Sequence, residues 1–229
     1  MTPYEQEIYA LQREIEQFLP HGMPVEPASH IIGMARTHNQ HPSFLLNEVE
    51  ETTRFLTTMG KPSTNLGLYV TSIMLNTEIG VGHVCAAVGR ITDHPTVPEN
   101  KAARILNTAA ESGLPIEALE DCFIRAEQLT PEILDKETSL KSIALGLKYN
   151  RGASDVQLDF LDLWEYITHI NYSIGADSKT AWAALEIAYA TGITSQKVYN
   201  RVLCEATTRL PAQDAFALML VAATTQSLS

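Results

Sequence analysis

The sequence has few basic residues. Among 229 residues it carries 16 Lys and Arg against 27 Asp and Glu, which gives a formal net charge of −11. Nucleic-acid binding depends on clustered Lys and Arg that contact phosphates, and no such cluster occurs. The same excess of carboxylates disfavours binding to an anionic membrane surface. We therefore expect neither nucleic acid nor membrane as a partner, and the charge suits either solubility or a basic partner.

Cysteine and long apolar runs are also scarce. The three cysteines, Cys85, Cys122 and Cys204, lie far apart and form no CxxC pair, so neither a disulfide framework nor a thiol zinc site is indicated. The longest uninterrupted apolar run, residues 215–223, is too short to span a bilayer. The opening segment, MTPYEQEIY, lacks the apolar region of a secretory signal. These features predict a cytoplasmic protein.

Alternating strand patterns with hairpin turns are missing as well, whereas signals for helix ends recur along the whole chain. Pro, Ser, Thr or Asp precedes each predicted helix, and Gly follows several of them, as at Asp177 and Gly192. Ala-rich stretches such as AWAALEIAYA favour close helix packing. The sequence predicts an all-α fold, a compact multi-helix bundle of about ten to twelve helices.

The chain contains no Gly/Ser-rich or Pro-rich linker, so we expect a single helical domain over residues 1–229. A faint internal similarity exists at an offset of 79 residues, where Leu66-Gly67-Leu68 matches Leu145-Gly146-Leu147. It is explained either by a duplication of residues 66–126 as 145–205 or by the general resemblance of helical hairpins. The sequence leaves both explanations open.

One carboxylate stands in the least charged part of the chain. Between Lys61 and Arg90 the only formal charge is Glu78, within a predicted helix over residues 63–79 that is apolar most of the way round. A carboxylate on such a buried helix has to be paired, protonated or bound to a metal. The alternative is that Gly80 ends the helix and the Glu78 head group reaches water.

A second cluster of polar residues lies on the predicted helix DVQLDFLDLWEYITHI, residues 155–170. At 100° per residue, one third of this helix carries all of its acids and the neighbouring third is apolar. The polar third comprises Asp155, Asp159, Asp162, Glu165, Tyr166 and His169, and the apolar third comprises Val156, Phe160, Leu163, Ile167 and Ile170. Carboxylates and an imidazole on adjacent turns suit an oxygen/nitrogen metal site. The alternative is a solvated face of an amphipathic helix.

The known catalytic motifs are missing. The sequence has no HExxH, no Cys/His zinc pattern, no GxSxG, no Walker loop and no GxGxxG after a strand. The remaining histidines are scattered, mostly in the segment from His21 to His41. Catalytic residues are therefore unassigned, and the sequence leaves open whether the protein is an enzyme.

Two segments resemble motifs of the heme-oxygenase-like diiron oxidases, which are helical proteins of similar length. The first is Asn76, Glu78, Gly80 and Gly82, followed by His94-Pro95, and the second is Tyr166-Ile-Thr-His169. The resemblance implies iron or manganese held among core helices, where it would activate dioxygen.

On that resemblance, the metal ligands would be Glu78, His94 (or His83) and His169. The set is incomplete, because the positions where the later motif continues with an aspartate and a histidine are Ser173 and Ala176.

The substrate of such an oxidase would be small and largely apolar. Tyr69, Ile73 and Tyr166 would line its binding pocket.

The sequence is therefore compatible with two functions. One is a metal-dependent, oxidase-like helical protein, and the other is a non-catalytic acidic helical binding or adaptor protein that docks a protein partner. Whether the chain forms a homo-oligomer is open. The two functions differ in whether Glu78 and His169 share one site.

Overall fold

The computed structural model describes residues 3–91, 97–129, 135–170, 177–206 and 210–226. Within these ranges the chain forms twelve α-helices and no strand. The prediction of an all-α multi-helix bundle of about ten to twelve helices is thereby confirmed. The helices are α1 (Pro3–Phe18), α2 (Val25–Thr37), α3 (Pro42–Thr58), α4 (Thr64–Thr77), α5 (Val81–Ile91), α6 (Glu99–Ala110), α7 (Ile116–Leu129), α8 (Lys136–Lys148), α9 (Ala153–Ile170), α10 (Ser178–Thr191), α11 (Ser195–Ala206) and α12 (Ala212–Gln226).

Side-chain caps fix several helix starts. Ser63 accepts a hydrogen bond from the backbone N–H of Leu66 at the start of α4, and Asp177 caps α10 in the predicted way. Satisfying these otherwise unpaired N–H groups stabilises a helix by about 1 kcal/mol. The Thr130-Pro131 dipeptide also predicts a helix start, and this prediction was wrong: α8 begins at Lys136, because Asp135 supplies the cap. Residues 130–134 lie outside the described residues.

The chain divides into two compact units. The first comprises Met1–Leu46 and Leu158–Ser229, and the second comprises Asn47–Gln157. In the first unit α12 contacts both α2 and α10, and in the second α6 contacts both α4 and α8. Helices α3 and α9 each contain residues of both units. That the chain is one domain stays a prediction.

The core of the second unit is apolar and closely packed. Leu56, Val70, Val84, Leu106 and Leu119 are fully buried within a single cluster. Burial of such side chains removes apolar surface from water and contributes about 1.5–3 kcal/mol each. This core accounts for the apolar character of α4 most of the way round, which the sequence had indicated.

The helix boundaries repeat along the chain at the offset noted in the sequence. Helices α5 and α9 end 79 residues apart, α6 and α10 begin 79 residues apart, and so do α7 and α11. Gly113 and Gly192, which correspond at this offset, have similar left-handed φ angles of 75° and 70°. However, Gly67 lies in the first turn of α4 and Gly146 in the last turn of α8. The duplication itself stays a prediction.

None of the helices in the described ranges has both the length and the apolar character that crossing a membrane requires.

Candidate functional site

Glu78 lies at the C-terminal end of α4 with its side chain exposed to solvent. Its backbone has a left-handed conformation, φ 57° and ψ 26°, and its N–H donates a hydrogen bond to the Met74 carbonyl oxygen at 2.8 Å. A non-glycine residue in this conformation is disfavoured by its Cβ, and a carboxylate here is opposed by the helix dipole. The helix ends at Thr77, so Glu78 does not continue its buried face.

The two residues predicted to line a substrate pocket from α4 are both in the core. Tyr69 and Ile73 belong to the apolar cluster of the second unit, together with Val70 and Val88. Ile73 is fully buried and Tyr69 nearly so. Their predicted contact with a substrate stays a prediction.

The predicted histidine ligands occupy different parts of the chain. His94 lies outside the described residues, as do Ser173 and Ala176. His83 is exposed in the first turn of α5. His169 belongs to the first unit, whereas Glu78 belongs to the second. Within the described parts of the chain, no group of three or more His, Cys, Asp and Glu side chains is arranged to hold a metal ion.

His169 and Tyr166 both lie in the last turns of α9. His169 is exposed, and its ring Nδ1 lies 2.9 Å from the backbone carbonyl oxygen of Glu165, one turn earlier in the same helix. Tyr166 is half-buried, and its hydroxyl oxygen accepts a hydrogen bond from the side-chain amide of Asn200 on α11. The Tyr166–Asn200 hydrogen bond joins the C-terminal half of α9 to α11, whereas the His169 contact lies within α9 itself.

The apolar face predicted for α9 is confirmed for four of its five residues, and the side chain of Ile170 lies outside the described residues. Val156, Leu163 and Ile167 are fully buried, and Phe160 is nearly so. The Phe160 ring stacks on Trp182 of α10, with centroids 4.0 Å apart and an interplanar angle of 9°. Aromatic pairs of this kind stabilise packing beyond the area that they bury.

A hydrogen bond adds to the attachment of α9 to α10. The hydroxyl of Tyr189 donates to the Asp159 carboxylate at 2.7 Å. Bonds to a charged acceptor are stronger than neutral ones. Asp159 is therefore a structural residue that fixes α9 against α10, and its role is distinct from that of the exposed acids of this helix.

The opposite face of α9 is exposed, and it is not purely polar. Asp162 and Glu165 are exposed there as the amphipathic alternative predicted, but Leu158 and Leu161 are exposed too, by 61% and 41%. Leu158 has the largest exposed fraction of any large apolar side chain in the described residues. Trp164 is half-buried beside them, stacked on Phe160 with centroids 6.2 Å apart. We call these five residues, Leu158, Leu161, Asp162, Trp164 and Glu165, the α9 ridge.

Sequence reasoning overlooked the leucines of this ridge although the signal was present. At 100° per residue, Leu158 projects between Asp162 and Glu165, on the same side of the helix as the acids. The prediction for α9 assigned the acids either to a metal site or to water, and the apolar residues to the core. It left Leu158 and Leu161 unassigned, because neither fits the apolar third.

The two carboxylates of the ridge form no ion pair with other described residues. Helix α9 itself contains no Lys and no Arg. Its exposed face therefore combines apolar surface with two carboxylates that form no ion pair with other described residues.

Several charged residues of the second unit, in contrast, form ion pairs. Arg90 on α5 makes two hydrogen bonds to the nearly buried carboxylate of Glu120 on α7, at 3.1 and 2.5 Å. The Glu137 carboxylate accepts from Lys101 at 2.6 Å and from Lys141 at 2.8 Å. Burial opposes ionisation of Glu137, but the two ammonium groups outweigh it and lower its pKa.

The cysteine of α5 is not a reactive thiol. Cys85 is buried, and burial raises its pKa; the Lys61 charge opposes this rise and the Glu99 charge adds to it. A raised pKa keeps the thiol protonated at neutral pH, and the protonated form is a poor nucleophile and a poor metal ligand.

Comparison with known proteins adds no assignment: the chain matches no protein-family model and no curated protein.

Proposed function

We propose that the chain is a non-catalytic, acidic helical binding protein that docks a protein partner through the α9 ridge. The observation that carries this proposal is the exposure of Leu158 and Leu161 on one side of a helix whose other side is anchored in the core. Exposed apolar side chains that share one face and are bordered by polar groups mark interaction surfaces more often than single scattered ones do.

Trp164 is the ridge residue most typical of a protein interface. Trp164 is of the residue type most enriched among side chains that dominate binding energy, and it is held in place by stacking on Phe160. A side chain that is ordered before binding loses little conformational entropy when a partner covers it. Placement on a regular helix adds further rigidity.

The metal-dependent oxidase is less well supported by the described residues. Glu78 is exposed at a helix end, and the Nδ1 of His169 contacts the carbonyl oxygen of its own helix. The oxidase hypothesis is tested by loading the purified chain with iron(II) or manganese(II), removing free metal and measuring the metal content. Stoichiometric metal that is lost in both Glu78→Gln and His169→Ala would replace the binding proposal by the oxidase.

The binding proposal is tested with the full chain. Tagged wild type and a Leu158→Asp, Leu161→Asp double variant are purified from the native cells. Any protein that co-purifies in an amount equal to that of the tagged wild-type chain is identified, purified and titrated against both forms. We expect the double variant to lose about tenfold or more in affinity, because truncating or charging central apolar contacts costs 1–2 kcal/mol or more.

A matched control uses exposed apolar residues of the second unit. Leu114 and Ile124 are 37% and 46% exposed, and a Leu114→Asp, Ile124→Asp variant should bind within about twofold of wild type. Circular dichroism verifies that both variants fold. Affinity that is unchanged in the α9 variant, or the lack of any stoichiometric partner, would overturn the proposal.

A further inference from the structure

We infer that the partner segment that covers the α9 ridge is a basic amphipathic helix, with an apolar stripe that packs on Leu158, Leu161 and Trp164 and with Lys or Arg that reaches Asp162 and Glu165. This inference rests on the proposed function and names the chemistry of its partner.

The apolar edge of the ridge is shaped to receive a helix. Leu158, Leu161 and Trp164 follow one another at intervals of three residues, which forms a ridge along α9 about 9 Å long at 1.5 Å per residue. Ridges of this kind pack into the grooves of a second helix. A partner helix with apolar residues at i, i+3 or i+4, and i+7 would cover the edge with two to three turns.

The charged edge of the ridge selects the sign of the partner's charge. Asp162 and Glu165 project beside Leu158 and form no ion pair with other described residues, while the chain as a whole carries a net charge of −11. A partner with Lys or Arg beside its apolar stripe would form ion pairs, whereas an acidic partner would bring like charges together. The same repulsion disfavours an anionic membrane surface and a second copy of this acidic chain.

Synthetic helices test the charge of the partner directly. Two fluorescent peptides of about 18 residues are compared, both with the same leucine stripe, one with Lys and Arg flanking it and one with Glu at those positions. By fluorescence anisotropy with the full chain, we expect the basic peptide to bind about twentyfold more tightly than the acidic one, and the difference to shrink as salt rises from about 50 mM to about 300 mM.

Removing the two carboxylates of the ridge tests whether the basic peptide binds there. An Asp162→Asn, Glu165→Gln variant should bind the basic peptide with about fivefold lower affinity. The control is Glu117→Gln, Asp121→Asn, which neutralises two exposed acids of α7, and it should leave the affinity within about twofold. Equal losses in both variants would show non-specific attraction to an acidic protein and would overturn the inference.

The outcomes separate the inference from the proposed function. If a purified partner depends on Leu158 and Leu161 but the basic peptide binds no better than the acidic one, the inference fails and the proposed function stands. If neither partner nor peptide depends on the ridge, both fail. Ridge-dependent binding to vesicles that contain phosphatidylserine, without binding of the basic peptide, would also overturn the inference.

Discussion

The close approach of Gly67 on α4 to Thr53 on α3 gives a sharp stability prediction. A Cβ added at Gly67 on α4 would lie 2.0 Å from the Thr53 Oγ1 of α3, 3.1 Å from its Cβ and 3.2 Å from its Cα. Gly67→Ala therefore places a methyl group where α3 already stands. We expect the variant to fold with clearly lower stability, because an interior packed to this density does not absorb an extra methyl without strain.

The size of the effect follows from what has to move. Rotating the Thr53 side chain away would break the hydrogen bond that its hydroxyl donates to the Val49 carbonyl oxygen at 2.7 Å, at a cost of about 1 kcal/mol. Rotation of the Thr53 side chain moves neither its Cβ nor its Cα. To relieve these two contacts, α3 and α4 must therefore also separate by a few tenths of an ångström. Overpacking of this kind costs about 1–3 kcal/mol, and the gain of about 1 kcal/mol from replacing a helical glycine offsets part of it. We expect a net loss of about 2 kcal/mol.

The assay is urea unfolding followed by circular dichroism, with Gly89→Ala on α5 as the control. A Cβ at Gly89 meets nothing within 4 Å, so this variant should gain about 0.5–1 kcal/mol from helix propensity alone. In a Thr53→Ala background the cost of Gly67→Ala should fall by about 1 kcal/mol or more. A Gly67→Ala variant as stable as Gly89→Ala, or a cost that Thr53→Ala does not change, would refute this account of the crossing.

Two further predictions concern charged residues. Glu78→Gly should raise the free energy of unfolding by about 0.5–1 kcal/mol, because glycine adopts the left-handed conformation without strain; lower stability would show that the carboxylate makes contacts that stabilise the fold. Glu137→Gln should cost about 1–2 kcal/mol at pH 7 by leaving Lys101 and the less exposed Lys141 without their shared carboxylate. Because the fold lowers the Glu137 pKa from its ordinary value of 4.5, this cost should shrink as pH falls below that value. A cost that stays constant down to pH 3 in urea titrations would contradict the pairing.

Helical periodicity and cap chemistry predicted most of the fold. The spacing of Val156, Phe160, Leu163 and Ile167 identified the buried side of α9, and Asp177 marked the start of α10, because both signals are local. The start of α8 was misplaced because Pro131 competed with Asp135, and sequence alone does not rank two adjacent start signals.

The candidate site was harder to predict than the fold. The sequence left open whether Glu78 is buried on the helix over residues 63–79 or reaches water near its end; in the structure it is exposed, and the backbone turns left-handed at that residue. A change of backbone direction over one residue leaves no periodic signal. For Leu158 and Leu161 the helical period does place both outside the apolar third of α9. Their exposed fractions, however, depend on which neighbours cover α9, and tertiary packing decides that.

The fluorescence of Trp164 tests the α9 ridge most directly. The chain contains only two tryptophans; Trp182 is buried and Trp164 is half-buried on the ridge. When the basic peptide, which contains no tryptophan, saturates the full chain, the account predicts that acrylamide quenching falls by about half, and that Trp164→Phe abolishes this change. Quenching that stays the same while the peptide is bound, or a change that persists in Trp164→Phe, would contradict docking on α9.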